Sequence, residues 1–109
     1  MPQITYCVFT TFDDPALADE WLGWLRDGHI AEVMAGGATD AEIVELDAAA
    51  PARGRAFAVC YHFPSRLSFE QYERDHAPRL RAEGLRLFPV EKGVSYRRSV
   101  GTVLTRLAR

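Results

Sequence analysis

Cysteine is scarce in this sequence: only Cys7 and Cys60 occur, in different strand-like segments and with no second pair of ligands near either. That excludes the disulfide framework of a small secreted domain and a zinc site of paired thiolates, and it predicts two reduced, small core residues. No apolar run is long enough to cross a bilayer. Met1-Pro2-Gln3 leads into strand-like residues and lacks the basic start, apolar stretch and small-residue cleavage site of a secretory signal. The expectation is a soluble, cytoplasmic protein with no membrane partner. A glycine-rich phosphate loop, a nucleophile elbow, clustered metal ligands and a dinucleotide fingerprint are also missing, so phosphoryl transfer, triad hydrolysis and hydride transfer from a nicotinamide have no motif behind them. Neither a metal nor another cofactor is expected.

What is present is globular in kind. In 109 residues, 48% are hydrophobic and 26% charged, which argues against disorder and against a fibrous or repeat protein. A chain of this length builds one core, so residues 1–109 are expected to form a single α+β domain. The net charge of −2 hides a division: residues 1–47 carry 10 acidic and 1 basic side chain, whereas residues 48–109 carry 5 acidic and 12 basic. An acidic first helix lying beside a basic second helix explains this better than a nucleic-acid surface, which needs basic residues clustered beside aromatic platforms. No nucleic-acid partner is expected.

Six segments follow in order. Ile4 to Thr11 is rich in β-branched and aromatic residues and stops at Asp13-Asp14-Pro15, where Asp14 suits a helix cap and Pro15 a first helical position. Leu17, Ala18, Trp21, Leu22, Leu25 and His29 then recur at helical spacing. Gly28 interrupts that stripe, predicting a kink near Gly28-His29 and a short continuation ended by Gly36-Gly37. A weaker strand, Ala41 to Leu46, and a flexible connection, Ala48 to Gly54, precede Phe57 to Phe63, where large residues alternate with small or polar ones. Ser68-Phe69-Glu70-Gln71 matches a capping box, with Leu67 and Tyr72 as its staple, and Pro78 predicts a break near His76-Ala77 in the helix that follows. A last strand covers about Val94 to Leu104.

Strands and helices in the order β-α-β-β-α-β give a ferredoxin-like fold, a four-stranded antiparallel sheet with both helices on one face. The other face is then bare. If it bears Tyr or Phe it forms an apolar patch, and two copies packed sheet to sheet would bury it, so a homodimer is expected.

Trp21-Leu22-Gly23-Trp24-Leu25, His29 to Met34, Tyr72 to Arg81 with Ala77-Pro78-Arg79-Leu80-Arg81-Ala82-Glu83, and Arg97-Arg98 together resemble a bacterial family defined only as a domain of unknown function. The resemblance covers nearly the whole chain, although Ala31 stands where the family usually has proline. That family looks like a member of the dimeric α+β barrel group. The resemblance therefore implies a dimeric barrel and a range of functions: cofactor-independent oxygenases, cyclases, isomerases, haem-degrading enzymes and non-catalytic ligand binders.

Of the titratable residues, His29 at the helix break is the candidate acid or base, and a histidine that only caps exposed backbone groups is the alternative. His76, beside the proline break, is a second candidate catalytic group or an axial haem ligand, against a structural role. Trp21 and Trp24, about 60° apart around the helix by the ordinary helical repeat, are either core residues or an aromatic wall for a flat substrate. Tyr6, Tyr61 and Tyr96 share alternation with Val8, Val59 and Val94, which suits a packed interior or a lined cavity. Arg98 alternates with Tyr96 and Val100, so it points with apolar residues and needs a buried anionic partner. Arg79, Arg81, Arg97 and Arg98 have the groups to bind a carboxylate or phosphate by paired hydrogen bonds, although most of them read as surface charges. Three functions are compatible with these residues. One is a cofactor-independent enzyme acting on a small aromatic or polyketide-like compound, with His29 as acid or base. The others are a non-catalytic ligand-binding or regulatory homodimer, including a haem binder, and a structural homodimer with a filled core.

Overall fold

The computed structural model describes residues 1–47 and 54–109; most of the expected flexible connection, Ala48 to Gly54, lies outside the described residues. Strand β1 runs Ile4–Phe12, and helix α1 runs Pro15–Trp24, continuing through a π-helical turn, Leu25–His29, into α2, Ile30–Ala35. Strands β2, Asp40–Leu46, and β3, Arg55–Phe63, follow. Helices α3, Arg66–Asp75, and α4, Ala77–Leu87, a short 3-10 turn, Val90–Lys92, and strand β4, Val94–Thr102, complete the order. The strands pair antiparallel in the order β2-β3-β1-β4 with the helices on one face, which is the ferredoxin-like arrangement.

Local chemistry sets most boundaries. The Asp14 carboxylate accepts from the Ala16 amide at 2.9 Å, and Pro15 needs no amide partner at the helix start. Gly28 leaves helical geometry at φ 165°, ψ −29°, inside the π-helical turn, so the kink falls where the glycine predicted it. Pro78 lies in the first turn of α4, after His76 at φ −125° has separated α4 from α3. Gly93, at φ +80°, turns the chain into β4; a side chain there would also meet Asp13.

The second-helix cap differs from expectation. Ser65, not Ser68, caps α3: its hydroxyl accepts from the Ser68 amide at 3.1 Å, and its backbone is extended. Pro64 ends β3 one residue earlier, so the chain turns into the helix sooner than the Ser-x-x-Gln pattern suggests. Leu67 is left largely exposed and staples nothing.

The core lies between sheet and helices. Ile4, Tyr6 and Phe12 of β1, Phe57, Val59, Tyr61 and Phe63 of β3 and Val94 of β4 meet Trp21, Leu25, Val33, Phe69, Tyr72 and Leu80 from the helices. Two aromatic groups anchor its ends. Phe12, Trp21 and Phe57 contact one another with ring centroids 5.1–6.0 Å apart, and Phe63, Phe69 and Tyr72 do so at 5.1–6.3 Å.

The large aromatic residues of the sheet other than Phe9 face the helices, so the condition of a bare face rich in Tyr or Phe is not met. That face carries Thr5, Cys7, Phe9 and Thr11 of β1, Ala56, Ala58, Cys60 and His62 of β3, Val44 of β2 and Arg97 of β4, whose guanidinium lies 4.2 Å from the centre of the Phe9 ring. The reading of two reduced core cysteines is also corrected. Cys7 and Cys60 are direct cross-strand partners, with Cα atoms 4.2 Å apart, and form a disulfide on this face. Separation of 53 residues along the chain conceals a pairing that only strand register creates. The charge division is partly resolved by contact between the halves: Arg55 bridges Asp19 at 2.7 Å and Glu45 at 3.0 Å, and Arg79 reaches Glu32 at 3.5 Å.

The cap makes a direct prediction. Ser65→Ala should lower unfolding free energy by about 1 kcal/mol, whereas Ser68→Ala should leave it nearly unchanged. Urea unfolding of the two variants checks this, and the opposite order would return the cap to Ser68.

Candidate functional site

On the helix-facing side of the sheet, the cross-strand pairs Tyr6–Tyr61 and Thr10–Phe57 bracket the pair Val8–Val59. Two valines are shorter than the aromatic side chains beside them, so the sheet surface dips between the aromatic groups. Trp24, Leu25 and His29 from the first helical arm and Leu80, Gly84 and Leu85 from α4 roof the dip. The free volume is about 60 Å³, enough for a handful of waters at roughly 10–15 Å³ each. A larger hollow of about 340 Å³ lies on the bare face over Phe9, Leu46, Ala56 and Arg97. More of the titratable side chains line the smaller cavity.

His29 enters the cavity from the end of the π-helical turn. Its ring stacks on Trp24, with centroids 4.1 Å apart and planes 24° from parallel. Trp24 is fixed in turn by an indole N–H donated to the Glu83 carboxylate at 3.2 Å, and Gly84 leaves room for its ring. The His29 Nδ1 atom is buried and has no hydrogen-bond partner among the described residues. Burial pulls its pKa below 6.5, against the raising influence of Glu83 and Glu32, so the ring is neutral at neutral pH. A neutral imidazole with one unengaged nitrogen can give or take a proton.

Tyr6 lies at another part of the cavity and holds two guanidinium groups. Arg98 Nε donates to its hydroxyl oxygen at 3.1 Å and Arg81 Nη2 at 3.3 Å, while Arg81 also pairs with Glu73 at 2.6 Å. Arg98 was expected to need a buried anionic partner; it lines the cavity, but its partner is a phenol and it is exposed, because β4 is an edge strand. Tyr61 contributes from β3, and burial raises its pKa well above the usual phenol range. Tyr96 reaches the cavity but donates its hydroxyl to the Phe88 carbonyl at 2.6 Å, with its pKa likewise raised by burial.

Three buried side-chain polar atoms lack partners among the described residues: Thr10 Oγ1, His29 Nδ1 and Arg81 Nε. All three residues line this cavity. Buried polar groups are nearly always paired, and each unmade bond costs about 1–3 kcal/mol.

Of the residues singled out in the sequence, Tyr6, Trp21, Trp24, His29, Tyr61, Tyr96 and Arg98 converge here; His76 does not. Its ring stacks parallel to Tyr72 at 6.3 Å and lies against Gly36, where an added Cβ would come within 3.1 Å of it. The proline break places His76 at the junction of α3 and α4 and turns it toward α2. Haem does not fit: the cavity is far smaller than a porphyrin, and His76 is outside it. Thr10 was not among the sequence candidates, and Arg81, read mostly as a surface charge, lines the cavity. Thr10 alternates with Tyr6 and Val8, and Arg81 shares helical spacing with Ala77, Leu80 and Gly84, so both signals were in the sequence.

Among the described residues no three His, Cys, Asp or Glu side chains gather as metal ligands, and no helix is long and apolar enough to cross a membrane. No curated protein matches the sequence. Solved structures do share the fold. A dimeric ferredoxin-like protein from an uncultured marine organism has 14% identity over 98% of this chain and 100% of its own, with a TM-score of 0.71. SnoaB, a cofactor-independent oxygenase from Streptomyces nogalater, has 9% identity with both chains fully covered and a TM-score of 0.69. A Bacillus cereus protein proposed to be an antibiotic biosynthesis monooxygenase has 13% identity, covering 99% of this chain and 98% of that one, with a TM-score of 0.64. At such identities the likeness concerns the fold alone. In sequence, the match extends over residues 3–103, and the chain belongs to the family described as Domain of unknown function (DUF4286).

Proposed function

We propose that the protein is a homodimer whose protomers each bind a small aromatic or polyketide-like molecule between sheet and helices. His29 serves there as the acid–base group of a cofactor-independent reaction of the oxygenase, cyclase or isomerase type. The observation that carries this reading is the convergence of three unpaired polar atoms on one aromatic-lined cavity, since a ligand's polar groups would satisfy bonds the chain leaves unmade. Trp24 and Trp21 supply flat apolar surface, and Tyr61 remains a neutral hydrogen-bond donor. The step common to the three reaction types is proton removal: an acidic C–H or O–H of the ligand gives its proton to the imidazole, and the electron pair stays delocalised on the ligand. SnoaB supports the compatibility of this fold with chemistry that needs no cofactor.

A ligand with one aromatic ring needs more room than the cavity now has; a cavity of about 150 Å³ holds benzene. Trp24 and Leu85, neither fully buried, are the groups whose displacement opens the roof. The small volume favours a second reading, a structural homodimer with a filled core in which His29 only shapes the packing.

The bare sheet face supports the dimer. Small residues such as Ala56, Ala58 and Cys7 let a second sheet approach closely, and Phe9 and Val44 add apolar area.

If His29 is the base, turnover of an accepted substrate should stay level from alkaline pH to about 6.5 and fall below it, with a midpoint under 6.5. His29→Gln should abolish the activity while still binding the substrate; unchanged turnover would end the catalytic reading, and stoichiometric binding by wild type without turnover would leave a binder. Folding favours the neutral ring, so the unfolded chain takes up the proton first. The His29 contribution to stability is therefore present above pH 6.5 and lost as pH falls through that value toward the folded-state pKa. Thermal unfolding from pH 8 to 5 should show a smaller loss for His29→Gln than for wild type. Finally, wild type should sediment as a dimer at micromolar concentration and Ala58→Glu as a folded monomer; a monomeric wild type would refute the dimer.

A further inference from the structure

We infer that the ligand is a small monocarboxylic acid whose carboxylate docks at the Tyr6–Arg81–Arg98 junction while its apolar body lies over Val8 toward Trp24 and His29. This rests on the proposed reading of the cavity as a ligand site, and it adds the charge and orientation of what enters.

Two guanidinium groups meet at the Tyr6 hydroxyl, but only one carboxylate, Glu73, stands with them. Among the described residues no acidic group pairs with Arg98. The junction therefore has one cation in excess. A phenol engages only Nε of Arg98, which leaves both Nη groups of its fork unengaged by the chain, and Arg81 Nε is buried without a partner. A carboxylate is the ligand group that matches such forks in shape and charge, because its two oxygens accept parallel N–H bonds. A single negative charge balances the excess; a dianion would overshoot it.

Orientation follows from the elements. Arg98 is on the edge strand β4 and exposed, so the charged end of the ligand stays at the mouth, where losing hydration costs least. Gly84, which faces Trp24, is one helical turn beyond Arg81 on α4. The wall over Val8 between these places has no charged side chain, and it leads to the stacked Trp24–His29 pair. A ring held there by its carboxylate meets His29 with its far end.

Benzoate and benzamide, alike in shape but different in charge, test this with wild type and Arg98→Gln. Calorimetry gives affinity, and the Trp24 indole N–H resonance reports entry to the cavity. Wild type should bind benzoate roughly tenfold or more tightly than benzamide. Arg98→Gln should lose that preference, chiefly through weaker binding of benzoate. Equal wild-type affinity for the two probes overturns the carboxylate dock but leaves the cavity a ligand site, since both still shift the indole signal. The same holds if a folded Arg98→Gln keeps the preference. If neither probe shifts the indole at millimolar concentration, the ligand-site reading itself fails, and this inference with it. The wild-type comparison stands without the variant.

Discussion

Strand β1 lies between β3 and β4, and its pairing with both decides which side chains share a face. Tyr6 sits opposite Tyr61 and Val100, Val8 opposite Val59 and Arg98, and Thr10 opposite Phe57 and Tyr96. A slip of one residue in either pairing would send those partners to opposite faces of the sheet. With the pairing as it is, two aromatic groups clamp the ends of the core and two valines lie between them. The dip over those valines, the approach of Arg98 to Tyr6 and the cross-strand position of Cys7 and Cys60 all depend on the same register.

The cavity combines features that work against each other. Buried polar atoms without partners weaken a fold, and a core of this size has little stability in excess. Hydrophobic packing on either side bears that cost: Phe12, Trp21 and Phe57 at one end and Phe63, Phe69 and Tyr72 at the other are nearly sealed from water. Between them Trp24 is tethered to Glu83, and Arg81 to Glu73. Trp24 and Arg81 are thus held by residues on α3 and α4, although Trp24 and His29 belong to the first helical arm. The unmade bonds are concentrated in this one cavity among the described residues.

The element order was readable because each boundary has a local chemical cause. Asp14-Pro15, Gly28, Gly36-Gly37 and Pro78 act through their own backbone preferences, and the structure has helix starts, a kink, a turn and a break at those places. Local signals fail where two of them compete. Ser65 and Ser68 are both plausible caps by composition, and the position of Pro64 chose between them. Side-chain alternation likewise grouped Tyr6, Tyr61 and Tyr96 on one face without saying which face the helices would cover. The aromatic surface therefore faces the helices, and the surface left bare is built of small residues.

Periodicity and turn chemistry in the sequence determined the β-α-β-β-α-β order, the amphipathic stripe with Trp21 and the break that releases His29. These are interactions among near neighbours in the chain. The tertiary structure decided what depends on distant residues meeting: Arg81 and Arg98 on one phenol, Cys7 against Cys60, Trp24 on Glu83, and His76 turned toward Gly36 instead of into the cavity. Strand register and helix docking bring those groups together, and neither is written in the spacing of residues along a single segment.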